Sequence, residues 1–327
     1  MNYNETYEVF DKLFANELDE VKAKELLVSL YERGENSDEI AAAASVMKKY
    51  SKKVNVANEL QDKLIDNCGT GGDKSGSFNI STASSILLAS CGSYVAKHGN
   101  RSITSKSGST DVLEAFGINL DISTENLPKM LEETNWMFMF AVNHHPAMKH
   151  IMPIRKTLAH RTIFNILGPL CNPADVRKQL IGVFDKSFLN NITQALKKLE
   201  SKSAFVVSSN DGMDEVSISD ITYFEYLNKN KVTSGEINPQ DYGMKLSSFE
   251  EIKGGDAKEN ASIIYDIFSG EEKGPKRDIV LLNSAVALLV DAKVNDIKDG
   301  IEMAKENIEN KNAFNKLKSI IKVSKKL

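Results

Sequence analysis

Over residues 1–63 the apolar positions recur at helical spacing. Tyr7, Phe10, Leu13 and Phe14 share one face, as do Leu26, Leu27 and Leu30 of the next segment, which Gly34 is placed to end. A third segment starts near Ser37, where Asp38 and Glu39 suit a helix N-terminus, and runs through Ala41–Ala44 toward Tyr50. No strand pattern interrupts this stretch, and it predicts a small helical domain.

The pattern changes at Leu64. Short apolar runs at Tyr94–Ala96, Met137–Ala141, Leu180–Phe184 and Ala204–Val207 read as buried strands. Helical patterns occupy about 79–90, 109–116, 146–158 and 187–200, and the chain from Asp278 is helical again. Residues 221–236 read as an antiparallel hairpin or sheet edge. Strands alternating with helices predict an α/β domain built on a mainly parallel central sheet flanked by helices.

Composition narrows the chemistry. Across 327 residues the chain is 41% hydrophobic and 26% charged, with a net charge of -4. That balance buries a real core and argues against a basic coat for nucleic acid or a membrane surface, so any anion site must be local. The three cysteines, Cys68, Cys91 and Cys171, are widely spaced, as in a reduced cytosolic protein. The polar, acidic start Met1–Glu5 does not read as a signal peptide.

Five segments carry the candidate chemistry. The first is Asp66-Asn67-Cys68-Gly69-Thr70-Gly71-Gly72-Asp73, between a strand and a helix that starts near Asn79-Ile80-Ser81-Thr82. Its glycines let backbone approach a bulky anion, the turn can aim N–H groups at phosphate, and the helix N-terminus adds its dipole. Alone, the same residues also describe a plain glycine turn before a capped helix. The second, Lys97-His98-Gly99-Asn100-Arg101-Ser102, follows the next strand, where α/β sheets bind ligands. Lys97 reads as a mobile phosphate-binding cation, His98 and Asn100 as neutral hydrogen-bonding groups. Arg101 suits either an anion or a neighbouring carboxylate.

Ser105-Lys106-Ser107-Gly108-Ser109-Thr110-Asp111 offers a second anion contact through Ser109 and Thr110, or simply a capped helix. Asp214-Glu215, after the strand Ala204–Val207, pairs hard carboxylates that suit Mg²⁺, although adjacent acids are also ordinary on surfaces. The last segment spans His144-His145-Pro146-Ala147-Met148, Arg155 and Arg161–Leu170. There Arg155 can fork onto a carboxylate.

This ordered set resembles the anthranilate phosphoribosyltransferase family over nearly the whole chain. The residues that carry the resemblance are Gly69–Asp73, Asn79–Thr82, Lys97–Ser102, Ser107–Asp111, His145–Met148, Arg161–Asn165, Gly168-Pro169, Asp214-Glu215 and Leu281–Ala285. The chain departs from the family pattern at His144, Ala159-His160 and Thr110. The resemblance implies a helical domain of residues 1–64 with about 144–177, and a large α/β domain of about 65–143 and 178–327. It implies a homodimer, while the lack of a signal peptide and of any membrane-span-length run makes the cytoplasm the default expectation.

By resemblance, phosphoribosyl pyrophosphate falls to Gly69, Thr70, Gly71, Gly72, Asp73, Asn79, Ser81, Thr82, Lys97 and Ser109. Anthranilate falls to Gly69, His98, Asn100, His145, Arg155 and Gly168, and Mg²⁺ to Ser81, Asp214 and Glu215. The implied reaction moves the phosphoribosyl group onto the amine of anthranilate in tryptophan biosynthesis, releasing pyrophosphate through an oxocarbenium-like transition state. An aromatic amine is already neutral near pH 7, so the expectation is catalysis by positioning, through Lys97, His98, Asn100 and Arg155, without an essential general base. Two other readings share features of the sequence: a pyrimidine nucleoside phosphorylase, and a non-catalytic nucleic-acid-binding relative.

Overall fold

The computed structural model describes residues 1–73, 75–102 and 106–327; Ser105 of the third candidate segment lies outside them. The N-terminal helices are α1 (Tyr3–Phe14), α2 (Glu20–Arg33), α3 (Ser37–Lys49) and the single turn α4 (Asn58–Gln61). Local chemistry sets their ends. Asn2 and Asn36 accept from the backbone amides of Glu5 and Glu39, and those glutamates bond back in capping boxes. Gly34, at φ +77°, stops α2 where the sequence placed its end.

From Leu64 the chain alternates. It runs β1 (Leu64–Asn67), α5 (Ile80–Ser90), β2 (Tyr94–Gly99), α6 (Ser109–Ala115), α7 (Leu127–Thr134) and β3 (Trp136–Phe140). A helical excursion follows: α8 (Ala141–His144), α9 (Met148–Lys156) and α10 (Phe164–Leu167). The sheet resumes with β4 (Lys178–Gly182), α11 (Phe188–Lys198), β5 (Ser203–Ser209), β6 (Thr222–Asn228) and β7 (Lys231–Ile237). Helices α12 (Ala257–Ser269), α13 (Pro275–Val290), α14 (Ile297–Glu309) and α15 (Asn312–Ser324) close the chain.

Among the described residues the strands form one seven-stranded sheet in the order β3-β2-β1-β4-β5-β6-β7. The first five are parallel, and the β6–β7 hairpin adds an antiparallel edge. This is the mainly parallel sheet that the alternation predicted. Two strands end earlier than the apolar runs suggested: Ala141 opens α8, and Val183-Phe184 lie beyond β4.

The order turns back at β1, so β1–β2 lie on one side of the switch and β4–β5 on the other. Such a reversal opens a crevice at the carboxyl ends of the strands. The glycine loop leaves β1 there, Lys97 and His98 sit at the end of β2, and Asp214-Glu215 follow β5. One sheet face packs on α5, α7, α13 and α15 through residues such as Ile86, Leu131, Val286 and Ile320. The other face contributes Ile181, Val183, Ala204 and Val206 to a core shared with Phe10, Leu27, Ile40, Ile151, Phe164 and Leu170. The N-terminal helices and the α9–α10 excursion thus bury a common apolar surface against the sheet. Pro153 interrupts the hydrogen-bond ladder of α9.

Candidate active site

The glycine loop is an extension of the sheet before it is an anion cradle. The amides of Cys68 and Thr70 donate to the carbonyls of Leu180 and Gly182, at 3.0 and 2.9 Å, continuing the β1–β4 pairing. The Thr70 amide is therefore already engaged within the sheet. Gly71 and Gly72 then turn with φ +69° and +76°, a region that favours glycine. The Gly71 amide donates to Asp214 Oδ2 at 2.6 Å, so the loop is moored to the acid pair.

Asp214 is held from several directions. Asn283 of α13 grips the chain just past the pair: its Oδ1 accepts from the Val216 amide at 2.9 Å, and its Nδ2 donates to the Val216 carbonyl at 2.8 Å. That contact gives the Leu281–Ala285 segment a concrete task. Burial, with Asp73 close by, pushes the Asp214 carboxyl up to about 7. Desolvation and the charge of Asp214 push Glu215 well above the ordinary carboxylate range. Crowded, desolvated acids of this kind suit a hard cation that takes oxygen ligands. Among the described residues no three His, Cys, Asp or Glu side chains are grouped to enclose a metal alone. Asp214 and Glu215, with the Ser81 amide donating to Glu215, form an oxygen donor set that would suit a Mg²⁺ ion keeping some of its waters.

Lys97 is not the mobile cation that the sequence suggested. It is 1% exposed, and its Nζ donates to the Asn67 carbonyl at 2.7 Å and reaches Ser81 Oγ at 3.4 Å. It spans β1 and the start of α5 beneath the cradle. Asp66 lies alongside, with its carboxylate accepting from the His98 amide at 3.2 Å and from Asn172 Nδ2 at 2.8 Å. Burial pushes Asp66 up to about 6, against the opposing charge of Lys97.

Asn79, at the start of α5, is fixed on both sides. Its Nδ2 donates to the Ser107 carbonyl at 3.2 Å, and its Oδ1 accepts from Asn260 Nδ2 at 2.9 Å. Thr82 is fully buried and its hydroxyl lacks a partner. Ser109 Oγ donates to the Asn100 carbonyl at 3.1 Å. Arg101 resolves in favour of carboxylates: it binds Asp111 and Glu114 at 2.8 and 2.6 Å on the exposed face of α6.

The second half of the site joins β2 to the helical excursion. His98 Nδ1 lies 3.2 Å from the Gly168 carbonyl, and its ring centroid lies 5.2 Å from that of His145. An acceptor carbonyl requires the proton on Nδ1, which leaves His98 Nε2 as a buried acceptor without a partner. Both rings are nearly closed off from solvent, and burial holds His98 well below its usual range and His145 down at about 4. Both are therefore neutral near pH 7.

Arg155 has no acidic partner among the described residues. It sits over the Phe164 ring at 5.2 Å and reaches Asn165 Oδ1 and Met152 Sδ, each at 3.4 Å. Burial depresses its pKa. A half-buried guanidinium short of good acceptors is suited to an incoming carboxylate. The two unusual histidines serve structure. His144 exchanges bonds with the Lys52 backbone at 2.8 and 2.9 Å, and His160 stacks on Tyr31 at 4.0 Å.

Sequence reasoning missed Gly182, Asn172 and Asn260. Gly182 is the place where β4 gives room to Asp214, Asn172 ties Asp66 to the Ala96 carbonyl, and Asn260 orients Asn79. The one local signal was Asn172-Pro173, a turn dipeptide.

Comparison with known proteins finds relatives over nearly the whole chain. Residues 61–314 match the α/β domain of a glycosyl transferase family, and residues 1–51 its helical bundle domain. An anthranilate phosphoribosyltransferase of Petrotoga mobilis is 46% identical over 295 residues, covering 90% of this chain and 85% of its own. One of Methanobrevibacter smithii is 43% identical, covering 98% and 94%. Among solved structures, the enzyme of that name from Thermus thermophilus superposes with a TM-score of 0.92 at 36% identity, covering 99% and 96%. The one from Saccharomyces cerevisiae, in complex with PRPP and Mg, superposes with a TM-score of 0.91 at 26% identity, covering 100% and 94%.

Proposed function

The chain belongs to the anthranilate phosphoribosyltransferase family, and from that premise we propose how its residues divide the work. The phosphoribosyl group of phosphoribosyl pyrophosphate passes to the amine of anthranilate, giving N-(5-phosphoribosyl)anthranilate and pyrophosphate in tryptophan biosynthesis. The observation that carries this division is the 2.6 Å bond from the Gly71 amide to Asp214, which joins an anion loop to an acid pair.

The donor diphosphate lies along Gly69, Gly71, Gly72 and Asp73 and reaches Asn79, Ser81, Thr82 and Ser109. As it enters, the Gly71 amide exchanges Asp214 for phosphate. Asp214, Glu215 and Ser81 hold Mg²⁺, which when bound supplies positive charge against the departing pyrophosphate. The yeast relative was solved with PRPP and Mg, in keeping with that role. Lys97 acts from below, bracing Asn67 and Ser81 and adding positive potential to the cradle.

Anthranilate enters between the two halves of the crevice. Arg155 takes its carboxylate, while His98, His145, Asn100 and the Gly168 backbone frame the ring and amine. A yeast relative bound to 4-fluoroanthranilate supports an acceptor of this shape. The neutral, buried histidines are poor proton reservoirs, so the amine attacks as the free base and its proton leaves through the acceptor's own ortho carboxylate. Catalysis then rests on alignment and on exclusion of water by closure of the helical part, residues 1–64 with about 144–177, over the sheet. The protein works as a homodimer in the cytoplasm, in keeping with the family resemblance. Among the described residues no helix is long and apolar enough to cross a membrane.

The test is anthranilate fluorescence in the presence of the purified protein, phosphoribosyl pyrophosphate and Mg²⁺. Loss of signal should need both donor and metal and should stop on chelation. Unchanged fluorescence with folded protein overturns the proposal, and phosphate-dependent release of base from thymidine would then point to the phosphorylase.

A further inference from the structure

Arg161 belongs to the helical excursion by sequence but reaches the sheet side by contact. It lies in the connection from α9 to α10, and its Nη2 donates to the carbonyl of Gly72 in the glycine loop. Its Cζ stands 3.5 Å from the centroid of the Phe184 ring, just past β4. The guanidinium therefore lies on an aromatic face with its edge against the second glycine of the turn. A Cβ added at Gly72 would come within 3.5 Å of Nη2.

The residue before it anchors the other end. The His160 ring stacks on Tyr31 of α2, with centroids 4.0 Å apart and planes 14° from parallel. His160 Nδ1 donates to the Arg161 carbonyl at 2.7 Å. A strap thus runs from α2 through Tyr31, His160 and Arg161 to Gly72, joining the helical part to the glycine loop.

Two adjacent glycines with positive φ make the most conformationally free part of the loop, and fixing them costs the most entropy. The Gly71 amide is held by Asp214, but Gly72 is the residue that the strap grips. A guanidinium has five donors, and one of them serves Gly72.

We propose that Arg161 is a positioning residue for the phosphoribosyl donor, fixing the Gly71-Gly72 turn in its anion-receiving form and coupling that form to the packing of the helical part. The proposal rests on the reading that this loop takes phosphoribosyl pyrophosphate. Arg161 acts through the loop, so its loss falls on the donor and spares the acceptor site built by His98, His145 and Arg155.

The experiment measures steady-state kinetics of full-length wild type, Arg161→Ala, Arg161→Lys and His160→Ala, varying each substrate in turn. Arg161→Ala should raise the donor KM by roughly tenfold or more while the anthranilate KM stays within about twofold. Arg161→Lys keeps the charge but loses the planar fork and the ring stacking, and should recover little. His160→Ala, which frees the strap from Tyr31, should raise the donor KM by a smaller factor. Equal rises in both KM values, or a donor KM near that of wild type, would overturn the proposal. If Arg161→Ala does not fold, Arg161→Lys and His160→Ala decide on the same criterion. Failure of the underlying reading looks different: the wild type itself would then show no donor-dependent consumption of anthranilate.

Discussion

Gly182 and Asp214 come so close that a Cβ on the glycine would stand 1.6 Å from the aspartate carbonyl oxygen. A Cβ on Gly69 would stand 2.2 Å from Asp214 Oδ2. Asp214 is therefore seated in a slot whose walls are two glycines, one ending β4 and one just past β1. Asn283 closes the slot from behind by holding Val216. The site depends on missing side chains as much as on those present.

Gly182→Ala should push the Asp214 backbone out of this slot. Nothing flexible can yield, because the clash is with main chain. Overpacking of this kind costs about 1–3 kcal/mol, readable by urea denaturation. In the metal-holding role proposed for it, Asp214 displaced by even about 1 Å should lower kcat/KM by roughly 100-fold. An Ala variant with wild-type turnover would mean that the slot does not set the position of Asp214.

The contrast between Gly69 and Gly182 shows which parts of the site could be read from sequence. Gly69 lies in a dense local signal, a glycine-rich turn between a strand and a helix, which marks it as a site residue even though the Asp214 carboxylate it makes room for is distant in sequence. Gly182 sits in an ordinary strand, and the residue that demands it lies on a different connection after β5. Asn172 and Asn260 are hidden in the same way, since Asp66 and Asn79 become their partners only after the sheet assembles. The fold was more legible because alternation and helical spacing are local patterns. The β6–β7 edge was visible in its apolar and turn residues, whereas the helices α14 and α15 were foreseen only as a helical C-terminal stretch. Lys97 misled for a different reason: a cation in a polar loop reads as exposed, and only the pairing of β2 between β1 and β3 buries it.

The acid pair makes donor binding sensitive to pH. With Asp214 pushed up to about 7, its carboxyl is largely protonated at pH 6 and ionised at pH 8. A cation must displace that proton, so binding of the metal-bound donor releases protons and tightens as pH rises. The donor KM should fall by roughly tenfold between pH 6 and 8, beyond the titration of the donor's own phosphates. Asp214→Asn removes one of two raised acids, leaving Glu215 to titrate, and should reduce that excess while lowering turnover. An identical pH profile in wild type and variant would remove Asp214 from metal binding.

Arg155 should separate acceptor from donor. Its guanidinium has only Asn165, Met152 and the Phe164 face as partners among the described residues, so a carboxylate would be its first strong one. Losing a charge-assisted pair of about 2 kcal/mol predicts a rise in the anthranilate KM of roughly 30-fold in Arg155→Ala. The donor KM should be nearly unchanged, and Arg155→Lys should restore little because the planar fork is lost. A rise in donor KM instead would place Arg155 with the phosphates.

His145 should leave a signature in folding rather than in catalysis. Burial holds it down at about 4, whereas in the unfolded chain it titrates near the ordinary histidine value of 6.5. Between those values the unfolded state binds the proton and the native state does not, so this group's contribution is intact above pH 6.5 and lost as pH falls toward 4. Asp66 and Asp214 work in the opposite direction. Their native carboxyls are raised to about 6 and about 7, and they favour the folded state as pH falls through those values. The net acid response of the wild type therefore mixes opposing slopes, and the histidine must be read by difference. Urea denaturation of wild type and His145→Phe at pH 7.5 and pH 5 should show wild type losing about 2 kcal/mol relative to the variant on acidification. Anthranilate KM in the wild type should stay flat over the same range on the histidines' account, since both rings remain neutral. A stability difference that does not change with pH would mean that His145 takes up its proton in the folded state, and the neutral pocket assumed for the free amine would have to be given up.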